Sequence, residues 1–324
     1  MSFGRKISVE LALMISLSVV CCFDLSGAKA QISLAPCSSD NPLIWSECEG
    51  LSKNSRGDEY RGQFLNGKKG GIGIFTLRDG SKYFGEFEDD DFDGNGTFLW
   101  PDGRKYVGEF KKGKKDGQGL MTSPSGGRYF GDWKSDKFEG QGIIEFPTGE
   151  KYIGQFIDGE ANGIGTYTWP NGNKFVGEFK NGKKQGQGSL SFANGDRFVG
   201  EFKDDIIDGI GTLESASGDQ YVGSFEKSEF SGLGRYSWAD GRKYVGGFRG
   251  DRKNGVGVIT MPDGSKYEGE WSNDTFHGRG VLSFANGDVY VGDFKNGLFD
   301  GIGTYTAKDG TKYSGQFKND KFVQ

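Results

Sequence analysis

A chain of 324 residues with 58 glycines but only 7 prolines is neither collagen-like nor a disordered Pro/Gly tract, and its 27 Phe, 13 Tyr and 6 Trp exclude a solvated low-complexity segment. All hydrophobic types together reach only 34%, too thin a supply for stacked layers around a thick interior. A formal net charge of −5 speaks against a general nucleic-acid binder, and a single histidine, His277, leaves little room for triad, acid–base or zinc chemistry, so no enzyme, cofactor or resident metal is expected.

Residues 1–30 read as a signal peptide. Arg5 and Lys6 precede an apolar run from Leu11 to Phe23, and Ala28-Lys29-Ala30 supplies a small-x-small cleavage pattern with Gln31 as the mature N-terminus. The run is shorter than the roughly 20 apolar residues a membrane-spanning helix needs. The expected destination is therefore outside the cytosol, in a periplasm, envelope or medium. A retained signal anchor is the alternative.

Residues 31–59 hold Cys37 and Cys48, the two cysteines left once Cys21 and Cys22 depart with the signal. An even number in an exported chain favours one disulfide. Two free thiols in a redox role are the other reading.

From Tyr60 onward the sequence repeats every 23 residues without a slip. Tyr60, Tyr83, Tyr106, Tyr129, Tyr152, Phe175, Phe198, Tyr221, Tyr244, Tyr267, Tyr290 and Tyr313 open the units. Taking each as position 0, glycine fills position 2, Phe or Trp fills position 4, and glycine returns at positions 11, 13 and 20. These columns hold 45 of the 58 glycines, so the excess is positional. Lys151 to Phe156 and Gly163 to Trp169 alternate with period 2, as two strands of a hairpin should. Glycine beside the aromatic lets its ring lie across the backbone, and the glycine at position 20 suits a turn with positive φ. Pro-Asp-Gly and Pro-Asn-Gly predict tight turns between units, with a looser connection near positions 5–10 inside each unit. Counting back from Tyr60 places Cys37 at position 0 and Cys48 at position 11 of a degenerate extra unit.

The pattern Tyr-x-Gly-x-Phe followed by Gly-x-Gly, as in Tyr106-Val107-Gly108-Glu109-Phe110 and Gly117-Gln118-Gly119, resembles the MORN (membrane occupation and recognition nexus) repeat. The resemblance covers 60–324, as eleven full units and a partial twelfth. It implies an all-β, elongated, single-layer antiparallel meander of hairpins, preceded by a 31–59 cap. It also implies a non-catalytic scaffold whose partner is a protein or a membrane surface.

The candidate binding face is the aromatic stripe, exemplified by Tyr221, Phe225 and Tyr236 together with the column Trp100, Trp169 and Trp238. Such rings could stack on a glycan or take acyl chains, which makes a carbohydrate- or lipid-binding envelope protein the alternative function. The bland reading is that the stripe is the sheet's only core. Lys82 with Glu86, Lys105 with Glu109, and Lys266 with Glu270 suggest a charge ladder on the other face. Clusters at Lys111, Lys112, Lys114 and Lys115 and at Lys180, Lys183 and Lys184 are expected in loops, as is His277. Asp89, Asp91, Asp93 and Gly94 imitate the start of a calcium loop, but Trp100 stands where its last ligand would be.

Overall fold

A computed structural model describes residues 34–323. The signal-peptide reading, with Ala28, Ala30 and Gln31, lies outside the described residues. The rest is one open sheet of 25 antiparallel strands, in which each strand pairs with its neighbours in the chain, from β1 (Cys48–Lys53) and β2 (Glu59–Leu65) to β24 (Lys312–Lys318) and β25 (Lys321–Phe322). At about 4.8 Å per strand this is roughly 115 Å of contour.

A unit alternates a seven-residue with a nine-residue strand, as in β10 (Lys151–Ile157) and β11 (Glu160–Thr168). The extra length is a bulge. Gly154 pairs with Gly165 but Phe156 with Ala161, so Gln155 faces three residues of the longer strand. Glycine at position 11 sits at the bulge with positive φ, from +55° at Gly278 to +132° at Gly301, which explains that column by conformation rather than by ring contact.

In most units the side chain at position 3 closes the bulge by accepting the N–H of position 12. Gln63 does so from Ile72, Glu86 from Asn95, Glu109 from Gln118 and Glu270 from Arg279, at 2.9–3.1 Å. This corrects the charge ladder: Glu86, Glu109 and Glu270 satisfy backbone donors, and Lys266 pairs with Glu268.

The core lies on one face. In every unit but the last, the ring at position 0 is buried and rests on the glycine pair at positions 2 and 13; a Cβ at Gly165 would come within 2.5 Å of Tyr152 Cε2. The Tyr152 hydroxyl donates to the Gln155 carbonyl at 3.0 Å, and Tyr60, Tyr83, Tyr106 and Tyr267 repeat the bond. The ring at position 4 stands edge-on to it, 5.1 Å away for Tyr152 and Phe156.

The two turn types are the reverse of the expected assignment. Inside a unit, positions 6 and 7 form a two-residue hairpin turn with both φ positive, such as Asn66 (+52°) and Gly67 (+76°), or Asp204 (+48°) and Asp205 (+73°). The Pro-Asp-Gly connection between units is the longer one, with Trp100 N–H donating to Arg104 O and Gly103 N–H to Trp100 O. Lys114 and Lys115 therefore lie in β7 (Lys114–Thr122), Lys183 and Lys184 in β13 (Lys183–Ser191), and His277 in β21 (Thr275–Ser283), not in loops. Asp89 pairs with Lys68 and Asp93 accepts the Lys112 N–H, so the calcium-like run is occupied structurally.

The cap keeps the repeat frame in its second half, where Gly50 pairs with Gly62 and Gly57 has a positive φ, and departs from it in its first. Cys37 and Cys48 are joined by a disulfide, but the segment around Pro36 lies parallel to β1 through a bridge with Glu49 rather than forming an antiparallel first strand. Trp45 takes over the missing ring. Its six-membered ring covers Gly50 where a tyrosine or phenylalanine covers position 13 elsewhere, it stands edge-on to Phe64 at 4.8 Å, and its indole N–H donates to Ser39 O at 2.7 Å.

Candidate interaction surfaces

The two faces of the sheet differ in what they leave exposed. On the ring face, Tyr221 and Phe225 are buried, which removes them from the candidate binding residues: they hold the sheet together. Tyr236 and the three tryptophans are half-buried along its edge. Each tryptophan tilts against the aromatic residue two positions earlier, as with Tyr167 and Trp169 at 4.6 Å.

A column that the sequence reading passed over governs this edge. Position 9 is filled by phenylalanine or lysine in most units. As phenylalanine it stacks flat on the leading tyrosine in every unit but the last, with Phe92 3.9 Å from Tyr83 and Phe276 3.8 Å from Tyr267. As lysine it points its ammonium among the rings. Lys115 lies 5.9 Å from the Trp100 centroid and 5.2 Å from Trp133, and Lys253 lies 5.6 Å from Trp238 and 5.4 Å from Trp271. An aspartate 21 residues on completes the cluster: Asp136, Asp205 and Asp274 each accept both the ammonium and the backbone N–H of Lys115, Lys184 and Lys253. Partial burial works against the charged form of Asp205, but Lys184 outweighs it and holds the carboxyl below its ordinary range. The Lys–Asp coupling is legible in the sequence as a pairing at fixed spacing.

The three tryptophan clusters stand 69 residues apart and are not equal. Arg104 and Arg242 place guanidiniums 5.2 and 4.8 Å from the Trp100 and Trp238 centroids, each held by Asp102 or Asp240 at 2.7–2.8 Å. In the middle cluster Asn173 and Asn171 occupy those positions. Trp169 carries only the Lys184 ammonium, at 5.6 Å. There an open groove of about 640 Å³ runs from Trp169 past Phe192, Ile207 and Leu213 to Phe230. Ile207, at position 9 of its unit, is an aliphatic part of this lining.

Among the described residues, the opposite face has no covering layer. Position 1 of each unit pairs with position 14 of the same unit and of the one before, so Val176, Val199, Val222 and Val245 belong to one row crossing the sheet. Beside it, position 12 exposes Ile164 (61%), Leu233 (77%) and Val256 (69%). The expected charge ladder on this face left these apolar residues out.

A family model for the MORN repeat matches twelve segments, from 60–82 to 313–323. Comparison with curated proteins returns no match. Among solved structures, similarity is found to the TCP10 domain of Danio rerio CPAP in complex with a peptide of Danio rerio STIL, at 15% identity, 76% of this chain, 99% of that chain and a TM-score of 0.26. The TCP10c domain of Drosophila melanogaster Sas-4 matches at 13% identity over 62% of this chain and 99% of that one, with a TM-score of 0.26. Virginiamycin B lyase from Staphylococcus aureus matches at 11% identity over 88% of each chain, with a TM-score of 0.14. Such scores carry no functional argument. The twelve matches, in register with the hairpins and their rings, place the chain in the MORN repeat family.

Proposed function

We propose that the chain is a non-catalytic scaffold that works outside the cytosol and gathers protein partners on the uncovered face of its sheet. The observation behind this reading is the set of exposed aliphatic residues that recurs from unit to unit, with Ser189, Thr212 and Arg235 between the valines, on a face that no second layer covers among the described residues. Charges elsewhere are largely committed: acids cap bulges, and lysines of the ring face pair with aspartates. The same commitments speak for a binding role over a catalytic one, and the disulfide supports export. A glycan platform gains less support, because Trp100 and Trp238 already hold cations over their rings.

Val199→Lys, Val222→Lys and Val245→Lys together test it. The side chains are exposed, so the sheet should form with unchanged circular dichroism. Crosslinking of the mature protein in its native compartment should recover a partner with the wild type and lose it with the triple variant. Equal recovery, or recovery of lipid or glycan alone, would reject the proposal. Mass measurement of the exported chain should find Gln31 first.

A further inference from the structure

The groove on the ring face differs from its two sister clusters in a way that specifies a guest. We infer that it takes a proline-rich segment in the polyproline II conformation, with a basic residue at the end lying over Phe230; this rests on the scaffold reading but uses the opposite face of the sheet.

Trp100 and Trp238 show what the site looks like closed, with a guanidinium over the indole and a carboxylate holding it. Asn173 cannot reach over Trp169 as arginine does. The side-chain oxygen of Asn171 accepts the Asn173 N–H, as the first oxygen of Asp102 accepts the Arg104 N–H. The amide nitrogen of Asn171 thus replaces the carboxylate oxygen that held the arginine. An incoming cation is disfavoured at the Trp169 end, and a flat apolar ring is favoured.

Asn173 lines the groove and accepts the Ala193 N–H at 2.9 Å through its side-chain oxygen, which leaves its amide nitrogen to donate. A polyproline II chain presents carbonyls with no internal hydrogen bonds, together with pyrrolidine rings that suit an indole face. The floor selects further. Leu190, Phe192, Ile207 and Leu213 offer nothing to sugar hydroxyls but suit proline methylenes. Six strand spacings separate Trp169 from Phe230, about 29 Å, which is about nine residues at 3.1 Å each.

Charge sets the direction. Lys184 and Asp205 neutralise one another at 2.7 Å, which leaves Asp251, beside Phe230, as the net charge of the lining. Asp251 accepts the Phe230 N–H through one oxygen. A lysine or arginine of the guest would meet the other.

The probe is a fluorescein-labelled peptide of nine prolines with arginine at one end, prepared with the arginine at either terminus and compared with decaproline by fluorescence anisotropy. One arginine peptide should bind saturably. Asn171→Asp with Asn173→Arg rebuilds the closed cluster that already folds twice in this chain, and should weaken binding at least tenfold. Asp251→Asn should reduce the preference for the arginine peptide over decaproline severalfold. Absence of saturable binding up to about 1 mM, equal affinity for the rebuilt cluster, or groove-dependent binding of an oligosaccharide instead would overturn the inference. A partner lost only with the valine triple variant would leave the scaffold reading intact while this one fell.

Discussion

Position 3 of the unit shows how one side chain sets the geometry of a hairpin. The longer strand carries extra residues at the bulge, and the N–H at position 12 turns away from the shorter strand it would otherwise meet. A carboxylate or amide oxygen at position 3 accepts it, so Glu109 holds Gln118 at 2.9 Å. The same column contains Gln63 and Gln155, which supply an oxygen without charge. An acceptor that closes the bulge therefore need not be an anion, and Gly247 shows that a bulge also forms without a side-chain acceptor. Glu109→Gln should leave stability within about 0.5 kcal/mol of the wild type, whereas Glu109→Ala should cost about 1–2 kcal/mol by orphaning the Gln118 N–H. Amide hydrogen exchange at Gln118 is the measurement. Equal acceleration in both variants would mean that charge, not acceptance, holds the bulge.

At the scale of the element, the cap is a hairpin built from foreign parts. The disulfide ties Cys37 to β1, a parallel bridge covers the strand's outer side, and Trp45 supplies the ring that Gly50 needs as a floor. Closing a loop of this length is worth about 2–4 kcal/mol. In an array stabilised between neighbours, that loss should stay local. Cys37→Ser with Cys48→Ser should accelerate exchange in β1 and β2 and leave β13 unchanged; a uniform response would show that the cap is not what protects this end. The disulfide and the second strand of the cap were legible from Cys37, Cys48, Gly50 and Gly57, but its first half was not, because Trp45 occurs once and outside the frame, while the rings and glycines were read from twelve superposed copies. The turns show the same contrast. Asn66-Gly67, Asn181-Gly182 and Asn296-Gly297 carry the sequence signal of a two-residue hairpin turn, yet Ser135-Asp136 and Lys227-Ser228 adopt its positive φ without it. The Trp100, Trp169 and Trp238 column was visible, but the difference between Arg104, Asn173 and Arg242 gained meaning only when the cations were seen over the rings.

For the whole molecule, one chemical group is placed in nearly every unit of the core. The leading tyrosines are buried with their hydroxyls on bulge carbonyls, and burial pushes Tyr152, Tyr221 and Tyr267 up to about 12 while raising Tyr60, Tyr83, Tyr106, Tyr129 and Tyr244 as well. An unfolded tyrosine ionises near 10. Below that value both states keep the proton and stability is independent of this group. Between about pH 10 and 12 the unfolded chain gives up protons that the folded chain retains, so stability falls as pH rises. The losses recur along the sheet, and unfolding should be steep within this window. Tyrosinate absorbance should rise in step with loss of the strand signal. Phe175 and Phe198 carry no hydroxyl, so the strands around them, β12 (Lys174–Lys180) to β15 (Ile206–Glu214), should keep their amide protection longest at pH 11. Smooth ionisation of the core tyrosines near pH 10 with the sheet intact would show that the rings are not sealed, and would remove the physical basis assigned here to a sheet one layer thick.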